Sequence, residues 1–453
     1  MFRRYLEKRH IEDWFIGINT SEFYQRWEES CHILQRFSPE SKLCLVESDP
    51  LLFLARFSAA VSLNYSLFLC DPHWGEREWE QVFNVVAPDI IFSEGGYRCA
   101  QIPIMYEYST KYLRTQAPRT GKIMIPTGGS SGQVRFAIHT WETLSAAVQG
   151  FYQYFGERPV NSYCVLPLYH VSGLMQFLRS LITGGRFGVQ GYKEMKQGGL
   201  LHINPQDFFI SLVPTQLQHL LIHFPEWLAQ FKTVLVGGAP AWESLLKQAR
   251  DYQVNIALTY GMTETAAQVA TLQPSDFLRG LNNNGRILPH SNITIKVDKK
   301  ASNFSKKEGQ IVIQSQSLFK GYYGQSFETN GEFVTDDWGY LDESGYLHIL
   351  GRKSQKIITG GENVFPQEVE GAIWATGRVK DVCVLGVKDD YWGEVVAAVY
   401  VPIAPNITSD LIKGELVEKV APFKCPKSWV RLSKIPRNNR GKVNVKRLRE
   451  LFN

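Results

Sequence analysis

The sequence lacks the features that would assign it at once to several common protein classes. Its seven cysteines are scattered over 453 residues without one CxxC pair, and their number is odd. This pattern argues against a disulfide framework and predicts reduced thiols in a cytoplasmic protein. The formal net charge is only +5, and no block of Lys and Arg is dense enough for a nucleic-acid interface. No nucleic-acid partner is therefore expected.

Membrane and targeting segments are not indicated either. The first ten residues, Met1–His10, are charged and lack an apolar core, so they do not predict a secretory signal. The most apolar stretch, Leu51–Cys70, contains Arg56 and Asn64. It predicts a buried helix followed by a strand, and we expect no stable membrane insertion.

The composition is that of an ordinary globular protein, with 44% hydrophobic and 21% charged residues. A chain of this length predicts two or three domains. Residues 42–93 alternate short apolar strands with helices, which is typical of βαβ units and a parallel sheet. The pattern repeats over 161–260, where four predicted strands end in polar or glycine-rich turns. Because ligands bind at the carboxyl ends of such strands, we expect these turns to share one crevice.

The pattern changes beyond residue 280, where three segments alternate like antiparallel strands. A polar junction at 351–355 then precedes about 100 further residues. We therefore predict an α/β fold with a large N-terminal domain over 1–351. It contains doubly wound, mostly parallel sheets to about 280 and a small barrel-like β subdomain over 281–351. A small, mobile α+β C-terminal domain over 352–453 follows, with a hinge near 352–355.

A glycine-rich segment, Ile125–Arg135, lies between a short apolar run and a helix predicted to begin near Thr140. Glycines let backbone amides approach an anion, hydroxyls add donors, and Arg135 can fork to phosphate oxygens. The segment lacks the common P-loop pattern Gly-x4-Gly-Lys-Ser/Thr, because the sixth residue from Gly128 is Gln133. A phosphate-binding loop and a plain polar turn both fit this segment by itself.

Two further motifs carry carboxylates. In Thr259–Glu264, Thr263 can donate to a phosphate and Glu264 can bind Mg²⁺; the alternative is the capped first turn of a helix. In Thr335–Gly339, one of two adjacent aspartates can accept ribose hydroxyls; the alternative is a solvated turn.

The remaining motifs are weaker when taken singly. Lys356–Val364 is a glycine turn that a simple hairpin would also explain, and Ile435–Lys442 is a loop with three cations or a solvated basic tail. His170 follows a predicted strand, where a histidine can be catalytic or structural.

In this fixed order along nearly the whole chain, the motifs resemble the adenylate-forming superfamily of acyl-CoA synthetases, adenylation domains and luciferases. Within it, residues 167–173, 211–218 and 360–366 look most like the o-succinylbenzoate–CoA ligases of menaquinone and phylloquinone biosynthesis. The sequence Thr-Gly-Gly-Ser-Ser-Gly at 127–132 resembles their cyanobacterial branch.

The resemblance implies two half-reactions that use ATP, Mg²⁺ and coenzyme A. The substrate carboxylate attacks the α-phosphate of ATP, and the CoA thiol then attacks the acyl-adenylate. The residues implied to hold the β- and γ-phosphates are Thr127, Gly128, Gly129, Ser130, Ser131, Gly132 and Arg135. Those implied on the nucleotide side are Gly237, Gly238, Ala239, Pro240, Tyr260, Gly261 and Met262.

By the same resemblance, Thr263 contacts the α-phosphate, Glu264 binds Mg²⁺, and Asp337 and Arg352 take the ribose hydroxyls. Lys442 bridges the carboxylate and the nucleotide during adenylation. The small domain then rotates and presents the segment with Gly360 and Gly361 to the thiol. The acid pocket is predicted from His170, which we also count as catalytic, Ser172 and Thr215, with Arg179 as a candidate cation.

Three departures from the family pattern stand out. Arg135 is the only charge of the phosphate loop, Asp336 competes with Asp337 for the ribose, and Ser354 occupies the hinge position. Two other functions stay open at this point. One is an acyl-CoA ligase for another aryl or medium-chain acid, and the other is a non-catalytic nucleotide-binding protein. The sequence leaves the oligomeric state undetermined.

Overall fold

The structure is a computed structural model that describes residues 1–94, 96–99, 121–128, 133–297, 308–325, 330–360, 362–389, 391–437 and 443–452. The strands are β1 Phe15–Ile16, β2 Lys42–Val46, β3 Ser66–Cys70, β4 Ile90–Ser93, β5 Gly96–Cys99, β6 Ile123–Gly128, β7 Val134–His139, β8 Asn161–Cys164, β9 Phe187–Val189, β10 Phe208–Leu212, β11 Thr233–Val236, β12 Ile256–Gly261, β13 Gln268–Thr271, β14 Arg286–Ile287, β15 Ser291–Val297, β16 Gly309–Ser315, β17 Phe333–Leu341, β18 Leu347–Arg352, β19 Ile357–Thr359, β20 Glu362–Val364, β21 Val379–Asp389, β22 Gly393–Pro402 and β23 Ser428–Arg431.

The helices are α1 Phe2–Arg9, α2 Thr20–Leu34, α3 Pro50–Ser62, α4 Glu76–Val86, α5 Trp141–Tyr154, α6 Val171–Thr183, α7 Tyr192–Lys196, α8 Pro214–His223, α9 Pro225–Ala229, α10 Glu243–Asp251, α11 Pro274–Leu278, α12 Pro366–Trp374, α13 Ser409–Leu416 and α14 Val445–Arg449. Within the described ranges, none of them is both long and apolar enough to cross a membrane.

The first sheet has the order β5-β4-β2-β3-β6-β7. Its strands β2, β3, β4 and β6 run parallel, while β5 and β7 pair antiparallel at its two ends. Every residue of β3 is buried, as expected for a central strand covered on both faces. The βαβ pattern predicted over 42–93 is therefore confirmed. Strand β7 was not predicted, and it shortens the glycine-rich loop because Arg135 lies on this strand and not in the loop.

The second sheet has the order β1-β9-β8-β10-β11-β12-β13-β14, with β8 to β12 parallel. Helices α5 and α6 pack together on one side, and their apolar residues share a core with α1, α2 and α3. A second core lies between β8, β10, β11 and β12 and helices α8 to α10. The predicted repeat over 161–260 is thus a doubly wound sheet.

The antiparallel strands expected beyond residue 280 form one sheet with the order β15-β16-β17-β18. Residues Thr335–Gly339 lie inside β17, so the solvated turn considered for them is wrong. A last sheet, β20-β19-β22-β21 with β23 beside β22, carries α12 and α13 on an apolar core of its own. The predicted α/β class with a C-terminal α+β unit is confirmed.

Candidate active site

Four neighbouring parallel strands of the second sheet, β8, β10, β11 and β12, end at the same edge. Helix α6 follows the first strand, and α8 follows the second. The turn 237–240 follows the third strand, and the turn 263–265 follows the fourth. The topology therefore brings the predicted motifs to one crevice at the carboxyl ends of the strands.

The turn 237–240 packs closely against β12. A Cβ atom added to Gly237 would lie 2.3 Å from Oγ1 of Thr259, and Gly238 adopts a positive φ of 77°. Both positions therefore require glycine. Ala239 and Pro240, which follow, are exposed at the crevice. This arrangement leaves a backbone surface that a flat ring can approach.

Glu264 lies at the centre of the site. It belongs to the short 3₁₀ turn Thr263–Thr265 and is only 6% exposed. Its carboxylate accepts hydrogen bonds from the hydroxyl of Tyr322 at 2.7 Å and from that of Thr127 at 3.3 Å. Thr127 lies on β6, directly before the glycine-rich loop. The strand that leads into the loop and the Glu264 turn therefore meet, although they are separated by more than 130 residues of sequence.

Tyr322 was not identified from the sequence, although it follows a glycine in Lys320-Gly-Tyr-Tyr323. Its ring lies 4.4 Å from the guanidinium carbon of Arg135, in a cation–π arrangement. Burial and the nearby Glu264 raise the pKa of Tyr322, so its hydroxyl stays a donor. Among the described residues, the buried Nε atom of Arg135 has no hydrogen-bond partner. Arg135, Tyr322 and Glu264 thus form one connected group.

Asp337 forms a second polar group with Tyr260 and Arg352. The hydroxyl of Tyr260 donates to the Asp337 carboxylate at 2.8 Å, and Nε of Arg352 lies 3.6 Å from its other oxygen. Burial raises the pKa of Asp337, and burial together with the nearby Asp337 raises that of Tyr260. From Tyr260, residues Gly261 and Met262 lead directly into the Glu264 turn. The two groups therefore adjoin.

Asp336 points away from these residues. Its carboxylate accepts a hydrogen bond from the hydroxyl of Ser354 and another from the Ser354 backbone amide at 3.1 Å. Ser354 belongs to the 3₁₀ turn Lys353–Gln355 that follows β18. The two adjacent aspartates thus have separate partners: Asp337 faces the crevice, and Asp336 holds the segment predicted as the hinge.

The residues predicted for the acid pocket lie at the starts of two helices. His170 precedes α6, is half-buried, and its ring lies 4.7 Å from that of Tyr169. Ser172 and Thr215 are exposed in the first turns of α6 and α8. The structure places all three at the crevice edge.

A buried polar cluster lies deeper along α6. Arg179 donates to the side-chain oxygen of Gln268 at 2.6 Å and lies 4.1 Å over the ring of Phe151. Burial lowers its pKa to about 9. No carboxylate among the described residues lies within ion-pair distance of it. Four atoms are buried and find no hydrogen-bond partner in the described part of the chain: Nε of Arg179, Nε2 of Gln268 and both ring nitrogens of His290.

The C-terminal unit contributes the hairpin β19–β20, whose tip contains Gly360. The side chain of Trp392 packs on this glycine, and a Cβ there would lie 2.6 Å from the indole ring. Farther along, the guanidinium of Arg437 donates to both carboxylate oxygens of Asp381, at 2.7 and 2.8 Å.

Six predicted site residues lie outside the described part of the chain. They are Gly129, Ser130, Ser131, Gly132, Gly361 and Lys442. Gly128 is described as the last residue of β6.

The residues present suit a magnesium ion that is shared with a phosphate group. Among the described residues, no three His, Cys, Asp or Glu side chains cluster in a way that could enclose a metal ion. Mg²⁺ characteristically binds one or two carboxylates together with phosphate oxygens and water. The carboxylate of Glu264, beside the phosphate-loop strand, matches this requirement.

Comparison with known proteins shows the family of the chain. The profile of the AMP-binding enzymes matches residues 21–323, and that of the AMP-binding enzyme C-terminal domain matches 368–442. A 2-succinylbenzoate–CoA ligase of Listeria monocytogenes is 31% identical over 73% of this chain and 70% of its own length.

Two solved structures share the fold. The o-succinylbenzoate CoA synthetase of Bacillus subtilis, in complex with its acyl-adenylate intermediate, superposes with a TM-score of 0.84 at 22% identity, covering 98% of this chain and 97% of that one. The same enzyme with ATP and a magnesium ion gives a TM-score of 0.80 at 22% identity, covering 97% and 98%. With a profile match over more than half its length and a relative above 30% identity, the chain belongs to the family of AMP-binding enzymes.

Proposed function

We propose that the chain is an ATP-dependent ligase that converts 2-succinylbenzoate to its CoA thioester through an acyl-adenylate, for menaquinone or phylloquinone synthesis. The observation that carries the chemistry is the Glu264 carboxylate, which is tied to the phosphate-loop strand by Thr127 and to Arg135 by Tyr322. The choice of acid is supported by the curated relative at 31% identity. Because ATP and CoA are cytoplasmic co-substrates, we place the reaction in the cytoplasm.

In the first half-reaction, a carboxylate oxygen of the acid attacks the α-phosphorus of ATP, and the bond to pyrophosphate breaks. Negative charge grows on the phosphoryl oxygens, so preorganised donors and cations lower the barrier. We assign Arg135 and the loop 127–132 to the leaving pyrophosphate and Thr263 to the α-phosphate. A magnesium ion held by Glu264 would neutralise phosphate charge. Lys442 would position the carboxylate against the nucleotide.

The nucleoside end is assigned to the second polar group. Asp337 would accept the ribose hydroxyls beside Arg352, since it faces the crevice while Asp336 is engaged with Ser354. The adenine would lie along the turn 237–240 and Tyr260. In this assignment, Asp337 would bind the ribose, while Asp336 accepts hydrogen bonds from Ser354.

In the second half-reaction, the CoA thiolate attacks the acyl carbon and AMP leaves. We propose that residues 352–453 rotate as a unit about 352–355 between the two steps. Lys442 would then leave the site, and the hairpin with Gly360 and Gly361 would face the thiol. The absence of side chains at these glycines would let a narrow pantetheine arm pass close to the backbone.

The second carboxylate of the acid needs a cation, and Arg179 is the side chain that suits it. A buried charge without a counter-charge destabilises the free protein. An entering carboxylate would compensate the guanidinium, and His170 and Ser172 would line the entrance. Arg179→Met should therefore raise the Tm of the free protein and weaken binding of 2-succinylbenzoate. A loss of Tm together with unchanged KM for the acid would exclude this role.

The direct test is acid-dependent formation of AMP from ATP and CoA. With 2-succinylbenzoate we expect AMP and a thioester in equal amounts, whereas benzoate and octanoate should give neither. Lys442→Ala should abolish adenylation, and His170→Ala should raise the KM for the acid. If another aryl or medium-chain acid reacts and 2-succinylbenzoate does not, the proposed substrate is wrong.

A further inference from the structure

The hairpin β6–β7 touches the Glu264 turn with both of its strands. On β6, Thr127 donates to the Glu264 carboxylate at 3.3 Å. At the end of β7, Nε2 of His139 lies 2.7 Å from the backbone carbonyl oxygen of Thr263. In the sequence, the glycine-rich segment lies between these two strands, so both strands that flank it contact the turn.

His139 is one of three groups outside the turn that donate to its carbonyls, and the Thr263 carbonyl also accepts from the backbone amide of Ala266 at 3.1 Å. The carbonyls of three successive residues each accept a hydrogen bond from a different segment. Thr263 accepts from His139, Glu264 accepts from the backbone amide of Phe319 at 2.9 Å, and Thr265 accepts from the hydroxyl of Ser317 at 2.9 Å. His139 is the contact that comes from the strand carrying the phosphate loop.

The surroundings of His139 define its tautomer. A carbonyl oxygen can only accept, so Nε2 must carry the proton. Burial lowers the pKa of His139 to about 4, so the ring is neutral and Nδ1 is an acceptor toward the hydroxyl of Thr143 on α5, at 3.0 Å; this hydroxyl also lies 3.0 Å from the carbonyl oxygen of Thr140. The side chain is fully buried, and both ring nitrogens have a partner. The imidazole thus links β7, α5 and the turn in one defined orientation.

We propose that His139 is a positioning residue that holds the turn so that Thr263 and Glu264 face the phosphate loop. It would not touch the nucleotide; it would act through the Thr263 carbonyl. The inference rests on the proposed function, because it assigns Thr263 and Glu264 to the phosphates of ATP. The inference adds a residue outside the motifs that suggested this function. It also predicts that replacing His139 weakens nucleotide binding and slows adenylate formation.

Magnesium-ATP binding without any acid tests this role. In His139→Ala, the Thr263 carbonyl loses its external donor, and we expect the Kd for magnesium-ATP in calorimetry to rise about tenfold. His139→Gln should recover part of this loss, because its amide N–H can reach toward the same carbonyl. Ser317→Ala is the matched control. It removes a donor to Thr265, beyond Glu264, and should change this Kd less than about twofold.

The half-reactions supply a second readout. His139→Ala should slow adenylate formation and leave thioester formation from preformed acyl-adenylate unchanged. An unchanged Kd for magnesium-ATP, an equal rise in Ser317→Ala, or equal losses in both half-reactions would overturn the inference. Nitrogen-15 NMR of the wild-type imidazole should show the Nε2–H tautomer, and a proton on Nδ1 would also contradict it. Failure of 2-succinylbenzoate to react with the wild type would refute the proposed substrate, yet the nucleotide-binding comparison would stand.

Discussion

The indole rings of Trp242 and Trp374 stack with their centroids 4.5 Å apart and their planes 13° from parallel. Trp242 precedes α10, two residues after the turn 237–240, and Trp374 is the last residue of α12. The stack therefore joins the segment after the turn 237–240 to the C-terminal unit. If this unit rotates during the cycle, the two rings must separate.

Trp374→Ala should shift the balance between the two orientations. An aromatic pair contributes about 0.5–1.5 kcal/mol beyond its buried area, which corresponds to a change of about two- to tenfold in the orientation equilibrium. We expect one half-reaction to accelerate and the other to slow. The circular-dichroism couplet of the stacked indoles should vanish in the variant. Trp374→Phe, which keeps a ring, is the control; parallel losses in both half-reactions would refute a role in orientation.

Arg135→Ala should slow adenylation by about tenfold or more and spare thioester formation from preformed acyl-adenylate, because pyrophosphate leaves only in the first step. Stopped-flow measurement of pyrophosphate release checks the first step. Tyr322→Phe keeps the ring under Arg135 but removes the hydrogen bond to Glu264. Its effect should be smaller. An equal loss of rate in both half-reactions of Arg135→Ala would contradict the assignment of Arg135 to the leaving pyrophosphate.

The adjacent aspartates offer a matched pair of variants. Asp337→Asn should raise the KM for ATP by about tenfold, since a charged acceptor for the ribose is lost. Asp336→Asn should leave the KM for ATP near that of the wild type and change the ratio of the two half-reaction rates through Ser354. Steady-state kinetics with ATP as the varied substrate distinguishes them. The reverse pattern would assign the ribose to Asp336.

The Asp381–Arg437 pair should matter for adenylation, the step in which we propose that Lys442 acts. A β-bridge joins Arg437 to Val443, the two described residues that precede and follow 438–442 in the sequence. Loss of the bidentate ion pair in Asp381→Asn should lower the adenylation rate several-fold while the Kd for ATP stays unchanged. Arg378→Gln, which removes another ion pair of the same unit, with Glu415, is the control. A rate that Asp381→Asn leaves intact would show that the anchor is dispensable.

Glu370 should make stability depend on pH. Burial raises the pKa of the Glu370 carboxyl group to about 7. The titratable and charged groups that interact with it are Asp381, Arg437 and Cys383. Because the pKa is higher in the folded than in the unfolded protein, its contribution is present below about pH 4.5 and is lost as the pH rises through 7. The loss is on the order of 3 kcal/mol, at about 1.4 kcal/mol for each pH unit between the two values.

Thermal unfolding of the wild type and Glu370→Gln measures this effect. The amide resembles the protonated acid, so both proteins should have similar Tm values at pH 5. At pH 8 the variant should be more stable. Superimposable Tm profiles over this range would show that Glu370 titrates normally.

The sequence predicted much of the fold because local patterns set it. Helix Pro50–Ser62 has a capping aspartate and a proline in its first turn, and strand Thr233–Val236 is a short apolar run between turns. Strand β7 was missed because no turn signal in the sequence separates its residues, Val134–His139, from the glycine-rich loop before them. β17 was missed because Thr335-Asp-Asp suggests a turn, and its pairing with β16 and β18 overrides that local preference.

The site was only partly predictable for a related reason. Motifs such as Thr263–Glu264 are contiguous, so the sequence displays them directly. Tyr322 and His139 are connected to the site by contacts with residues more than 50 positions away, and no spacing rule relates them to Glu264. The separate partners of Asp336 and Asp337 likewise depend on the pleat of a strand that the sequence did not predict.

That pleat has a thermodynamic consequence. Successive side chains on β17 point to opposite faces, so one face carries the proposed ribose acceptor and the other holds the proposed hinge. If a nucleotide bound on one face shifts the hinge equilibrium on the other, the two events share one coupling free energy. By reciprocity, a ligand whose affinity the nucleotide changes by a given factor changes the affinity for nucleotide by the same factor. The same coupling free energy would then govern both the release of AMP and the return rotation of the C-terminal unit.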